Sequence, residues 1–382
     1  MYAQRSITAV NGQSVAVHGG SAQVPQESGP SIRARVRGVA GRAEALRGGL
    51  PFGAVMATAG ASALAGRCAL VPLVRPLLGL AILQAGWVTA RAVARWGADS
   101  PLRWRSRWAL GPAHEHSGFH TVPLGLAVIA SGLLALGAAA ATRWPLLCAG
   151  ICLGAAWLTA LIAVARFGGS LAVRGIDLHQ LDGTWFLVPA VLLGAAIATD
   201  RLAAQVEGQW VDALRVLAAG SAVLGWFGYW VLAVLAGLRI RRHGLGTGAL
   251  APWWIAMGCA GLAAAALGQV LHNRPQGLPA QWLTDGTAMS VSAAILLSVP
   301  VLLLSARFLL LQCGFRAAAA WPPTFSTAVF AFGALQAGQV LHMTLLSTLG
   351  VGAAYATLLF WCVTAVWNLK CACTTAFAGG RR

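Results

Sequence analysis

Apolar residues along this chain fall into ten runs, near 50–66, 69–90, 118–142, 144–165, 184–200, 213–237, 251–271, 286–306, 323–342 and 350–369. Each is at or close to the roughly 20 residues that a helix rising 1.5 Å per residue needs to cross a hydrocarbon layer. The runs are apolar on every face, whereas a membrane barrel alternates apolar and polar positions. The pattern therefore predicts an all-α polytopic membrane protein of ten transmembrane helices. The connections are short, so neighbours pair as five antiparallel hairpins, 1–2, 3–4, 5–6, 7–8 and 9–10. Several odd-numbered runs are short or interrupted: the first is rich in Gly and Ala, and the fifth contains Pro189 and Gly194. One internal echo supports a repeated unit, because Gly268-Gln-Val-Leu-His272 ends the seventh run and Gly338-Gln-Val-Leu-His342 ends the ninth.

Charge fixes an orientation. With the first residue placed in the cytoplasm, 21 of the 27 Lys and Arg residues fall on the inner side. The outer side keeps six: Arg67, Arg75, Arg143, Arg201, Arg215 and Arg274. One helix missed or invented would invert every later loop, so the split supports an even number of spans with both termini cytoplasmic. The expected division is a basic, disordered cytoplasmic tail over 1–48, a ten-helix transporter domain over 49–370 and a cytoplasmic tail over 371–382. The opening residues hold no apolar core of the signal-peptide kind, and the first span is expected to direct insertion. Arg33, Arg35, Arg37, Arg42 and Arg47 fit either a basic helix lying on anionic headgroups or a solvated tail obeying the positive-inside rule.

Composition agrees with membrane burial. The 382-residue chain is 58% hydrophobic and 10% charged, against about a quarter charged in soluble domains. Its net charge of +17 does not make it a nucleic-acid binder, since the positive residues sit at helix ends as topology determinants. The expected partners are membrane lipid and a small anionic substrate. Cys148, Cys152, Cys259 and Cys362 lie within apolar runs and read as small buried hydrophobes, while Cys371 and Cys373 fall on the tail. Neither a metal site nor a catalytic group nor a cofactor is expected. His114-Glu-His116 with His120 is too short a cluster to hold a metal by itself. His272 and His342, at matching depths, are expected as mouth residues or interfacial anchors. Their alternative role is ligation of haem, which would make this a membrane redox protein. Trp104, Trp108, Trp144, Trp253, Trp254 and Trp321 near span ends are expected as interfacial anchors.

No Asp, Glu, Lys or Arg sits near the middle of any run; the acidic residues Asp99, Glu115, Asp177, Asp182, Asp200, Glu207, Asp212 and Asp285 lie at loops or ends. Cation-coupled carriers usually embed a titratable group in the membrane. A neutral path whose partial positive charges come from interrupted helices suits anions instead. The odd runs carry such interruptions, through Gly53, Thr58 and Gly60, through Gly118 and Pro123, through Thr184, Pro189 and Gly194, through Gly258 and Gly261, and through Gly333 beside Phe325, Phe330 and Phe332. Close helix packing through small residues is the competing use of the same glycines.

Four segments resemble the tellurite-resistance/dicarboxylate transporter family, which includes the slow-type anion channels of plant guard cells. They are Phe52-Gly-Ala-Val-Met-Ala-Thr58, Ser117-Gly-Phe-His-Thr-Val122, Asp182-Gly-Thr-Trp-Phe-Leu187, and Tyr355-Ala-Thr-Leu-Leu-Phe-Trp361 through Trp367, in the family's order and on the matching spans. The resemblance implies ten helices in five hairpins, with odd helices around a central pore, even helices outside and a homotrimeric assembly. It also implies transport rather than catalysis, of C4-dicarboxylates, tellurite or other small organic and inorganic anions. A phenylalanine on the ninth helix plugs the pore in that family, and the motif falls on Phe330-Ala-Phe-Gly333. Phe330 is thus the leading expected gate, followed by Phe332 and Phe325, with Thr58, Thr184 and Pro189 as further pore residues. The chain departs from the family at Ala331, where the pattern has proline, and at Gly60, one place late after Met56-Ala-Thr-Ala59. It is expected to be a divergent bacterial member, in the inner membrane. An exporter of an apolar metabolite or drug is the remaining alternative.

Overall fold

A computed structural model describes residues 53–68, 70–98, 120–140, 143–244, 253–275, 277–311 and 321–379. The basic segment at 33–47, Phe52, the His114–His116 cluster, Trp104 and Trp108 lie outside the described residues. Ten α-helices are present among those described: α1 (53–67), α2 (Val71–Ala98), α3 (Thr121–Ala140), α4 (Arg143–Arg174), α5 (Leu187–Ala203), α6 (Trp210–His243), α7 (Trp253–His272), α8 (Ala280–Leu311), α9 (Trp321–Val340) and α10 (Thr344–Gly379). The chain is an all-α polytopic membrane protein. Helix α10 runs on past residue 370 to Gly379, through most of the segment expected as a tail.

Two kinds of helix alternate. The even helices are long, with 28, 32, 34, 32 and 36 residues in chain order. The odd ones are short: α3, α7 and α9 have 20 residues each and α5 has 17. Burial follows the same division. In the apolar windows of α5 and α7, 78% and 89% of residues are buried, against 17% to 33% in the even helices. An even helix thus turns most of its apolar surface outward, toward lipid, and an odd helix is surrounded by protein.

That division also governs which helices are apolar along a membrane-spanning length. Seven stretches are long and apolar enough to cross a membrane, belonging to α2, α4, α5 with its leading turn, α6, α7, α8 and α10; Thr121–Gly137 of α3 is a shorter apolar helix. Helix α9 spends its polar residues inside the protein, with Thr324, Ser326, Thr327 and Gln336 all buried. An interior helix need not be apolar on every face, because its polar groups have protein partners rather than lipid.

Each odd helix packs on the even helix that follows it, α1 through Ala61 and Ala65 against Leu77 of α2, and odd helices also pack on one another: α3 on α5, α5 on α7 and α7 on α9. Val55 and Ala59 of α1 cluster with Ile129 of α3. The ring closes where Gly60 of α1 faces Ala328 of α9, a Cβ on that glycine coming within 3.1 Å of the alanine Cβ. The outer layer is pinned to the inner by tryptophans. Trp157 Nε1 of α4 donates to Thr199 Oγ1 of α5 over 3.1 Å, and Trp361 Nε1 of α10 donates to Thr58 Oγ1 of α1 over 3.0 Å.

Some side chains depart from expectation. Trp253, Trp254 and Trp321 are buried at the starts of α7 and α9 rather than standing at an interface; only Trp144 of those described is exposed. All three lie on inner helices, where a helix end still meets protein. Cys259 is buried as expected, whereas Cys148 and Cys362 are exposed on the outward faces of α4 and α10.

Candidate functional site

At the centre of the ring lies a cavity of about 60 Å³, lined by side chains of all five odd helices. Helix α1 contributes Gly60, Ala63 and Leu64; α3 contributes Val128 and Ser131; α5 contributes Gly194, Ile197 and Arg201. Leu262 comes from α7, and Phe325, Ala328, Val329 and Phe332 from α9. The four α9 residues follow the spacing i, i+3, i+4, i+7, one face of a helix turning about 100° per residue. No carboxylate stands on this lining, and its polar side chains are Ser131 and Arg201.

Phe332 has the most informative surroundings. The guanidinium carbons of Arg67, from α1, and Arg201, from α5, each lie 5.1 Å from its ring centroid. That is within the reach at which a cation is held by the ring quadrupole. Arg67 Nη1 also donates to Gln339 Oε1 over 3.4 Å, and Arg201 Nη1 to the Ser131 carbonyl over 3.5 Å. Both bonds are long for N–H···O contacts, which centre near 2.9–3.0 Å.

Beside Arg201 in sequence, Asp200 is 2% exposed. Its Oδ2 accepts from Gln269 Nε2 over 2.9 Å and from Asn273 Nδ2 over 2.6 Å, tying the end of α5 to the end of α7. Gln269 and Gln339 occupy the same place in the repeated Gly-Gln-Val-Leu-His segments. In both copies that glutamine holds a charged group of a neighbouring odd helix.

The expected pore residues separate. Phe325 and Phe332 are on the cavity lining; Phe330, Thr58, Thr184 and Pro189 are not. Phe330 is 7% exposed and lies backbone-on against Gly261 of α7, where an added Cβ would come 2.7 Å from the Phe330 Cα. Thr58 is fully buried and accepts the Trp361 indole N–H. Pro189 faces α6, its Cβ 3.4 Å from a Cβ built on Gly228. Thr184 belongs to a 3-10 turn, Gly183–Phe186, that leads into α5. Asp182 caps this turn by accepting the Thr184 backbone N–H over 2.9 Å. The Asp-Gly-Thr-Trp-Phe segment is therefore a helix entry, whose Trp185 and Phe186 pack against Phe167 and Tyr229 at centroid distances of 5.1 and 5.6 Å.

His272 helps to line an open cavity of about 560 Å³ at the end of α7, together with Arg215, Asn273 and Arg274. His342 occupies the turn between α9 and α10 with φ of +52°. Among the described residues no three His, Cys, Asp or Glu side chains are grouped as a metal site.

A bundle whose inner helices enclose a cavity free of carboxylates, with Arg201 on its lining and Arg67 beside Phe332, has the build of a membrane pathway for anions. The comparison with known families agrees. Residues 51–369 match the model of the voltage-dependent anion channel family, and the chain belongs to that family. It is thus a multi-pass membrane protein of an anion channel and transport family rather than an enzymatic one. Among curated proteins, none matches the chain.

Proposed function

We propose that the chain carries small anions, organic acids of the C4-dicarboxylate kind or inorganic oxyanions such as tellurite, through the cavity between its five odd helices. Phe332 is the ring that closes this path. The cavity lining carries the proposal: five short inner helices meet there, no carboxylate faces it, and Phe332 lines it with its ring against two guanidinium groups. Such a lining does not repel an anion, and an apolar ring at a narrow point blocks it until the ring turns aside. About 60 Å³ leaves room for several waters or one small anion, consistent with a closed path.

By the charge asymmetry of the loops, Arg67 and Arg201 lie toward the outer mouth and both termini in the cytoplasm. The setting is a bacterial inner membrane, with lipid against the even helices and a homotrimer as the assembly that the family resemblance implies. The test is efflux of chloride, nitrate and malate from proteoliposomes holding wild type, Phe332→Ala or Phe330→Ala. Flux should rise in Phe332→Ala and stay near wild type in Phe330→Ala. No flux of any of these anions from wild type or either variant overturns the proposal. A rise confined to Phe330→Ala moves the gate to the α7-facing side of α9.

A further inference from the structure

We infer that Arg67 and Arg201 together form a binding site for an anion with two coplanar acceptor oxygens, a carboxylate or a planar oxyanion, and that its occupation releases Phe332. The inference rests on the anion path proposed above and adds to it a ligand class and a way of opening.

Three observations converge. The two guanidinium carbons are each 5.1 Å from one ring centroid, so they can be no farther apart than twice that distance although they come from different helices. Neither is in a salt bridge among the described residues; Asp200, next to Arg201 in sequence, acts on it only at longer range and accepts the Gln269 and Asn273 amides at its Oδ2. Each guanidinium has five N–H donors, and among the described residues each uses one, in the 3.4 and 3.5 Å bonds to Gln339 and Ser131. Arg201 and Phe332 are moreover on the wall of the cavity, so a ligand there would reach both.

Magnitudes decide what happens when an anion arrives. A cation–π contact is one attraction per guanidinium to the ring face. A planar fork instead makes two charge-assisted hydrogen bonds in parallel to a carboxylate or nitrate, each stronger than a neutral one. The anion therefore outcompetes the ring for the guanidinium groups. A halide, a single spherical acceptor, cannot match the fork with two oxygens, so the site discriminates against chloride. Lysine would keep the charge and lose the fork. The ring and the ligand share the same two cations, so binding and opening are one equilibrium: the closed state holds Phe332 on the arginines, and the open state holds the anion there.

The test uses the full chain purified in detergent and titrated with sodium nitrate, acetate or chloride at constant ionic strength, with thermal stability as the readout. A ligand that binds the native state raises Tm with concentration. For wild type, nitrate and acetate should half-saturate at concentrations on the order of tenfold lower than chloride. Arg67→Lys and Arg201→Lys should bring the three within about twofold, and Arg201→Gln should abolish the response. Chloride acting as well as nitrate on wild type, or lysine variants that keep the full preference, overturns the site. The two failures are distinguishable: preferential nitrate binding without flux in proteoliposomes sinks the transport proposal and leaves the site, whereas flux without that preference sinks the site alone.

Discussion

Gly333 of α9 and Gly261 of α7 meet backbone to backbone: a Cβ on Gly333 would collide with the Gly261 carbonyl oxygen, and one on Gly261 would come within 3.0 Å of the Phe330 nitrogen and the Val329 carbonyl. In a membrane the approach of two helices is driven by packing rather than by escape from water, so small residues set how closely they dock. Gly258, whose Cβ would come 2.9 Å from the Ser326 Cα, extends the same seam. This seam fixes the rotation of α9, and with it the side chains that reach the cavity.

Gly333→Ala should therefore lower the melting temperature and destabilise the fold by at least about 1–3 kcal/mol, the ordinary cost of overpacking a filled interior. Gly79→Ala and Gly150→Ala are the comparison, because nothing stands within 4 Å of a Cβ at either position. There the helix gains about 0.5–1 kcal/mol from losing a glycine. Thermal melts in one detergent check all three, and equal effects would mean that the seam is looser than its geometry.

Asp200 joins two inner helices through its bonds from Gln269 and Asn273. Asp200→Ala leaves two amide donors without their acceptor, at a cost of about 1–3 kcal/mol. Asp200→Asn, which keeps the shape and one acceptor oxygen, should cost less. The order Ala below Asn below wild type in melting temperature is the expected outcome; an alanine variant as stable as wild type would show that the carboxylate is not what ties α5 to α7.

Thr58 and Trp361 pin the first helix to the last over 3.0 Å. Hydrogen bonds between membrane helices average only about 0.6 kcal/mol and reach about 1.7. A double-mutant cycle of Thr58→Val and Trp361→Phe should return a coupling within that range, and strictly additive effects would rule the bond out as a contributor.

Much of this arrangement was legible in the sequence, and the part that was not has a physical reason. Hydropathy located all ten helices, since lipid imposes length and apolarity on whatever faces it. The Gly, Thr and Pro interruptions marked the odd helices as inner ones. The tryptophans at the starts of α7 and α9 misled because position along a helix says where its end lies and not whether lipid or protein surrounds that end. Arg67 and Arg201 were legible only as topology charges: a count of loop charges does not say that two of them converge on a ring from helices 130 or more residues apart in sequence. Asp200 was hidden in the same way, as a helix-end carboxylate whose amide partners come from another helix.

Phe330 and Phe332 have different surroundings on the same helix: Phe330 is in the main core, and Phe332 is on the cavity lining. Counting about 100° per residue, Phe332 is seven positions after Phe325 and returns to within about 20° of it, while Phe330 points about 140° away. A family motif fixes a position along α9, and the rotation about the helix axis decides which ring reaches the cavity. Phe330, 7% exposed and within the main core, should lose about 3–5 kcal/mol on truncation to alanine. Phe332 is only partly buried and faces open volume, so Phe332→Ala should cost less, mostly the two cation–π contacts at about 0.5–2 kcal/mol each. Phe332→Leu preserves apolar bulk but has no quadrupole, so it should resemble Phe332→Ala in the strength with which the arginines are held and wild type in the volume it blocks. Thermal melts of the three variants, beside their nitrate titrations, separate the roles. A Phe332→Ala loss as large as that of Phe330→Ala would make both rings packing residues and count against the gate proposed at Phe332.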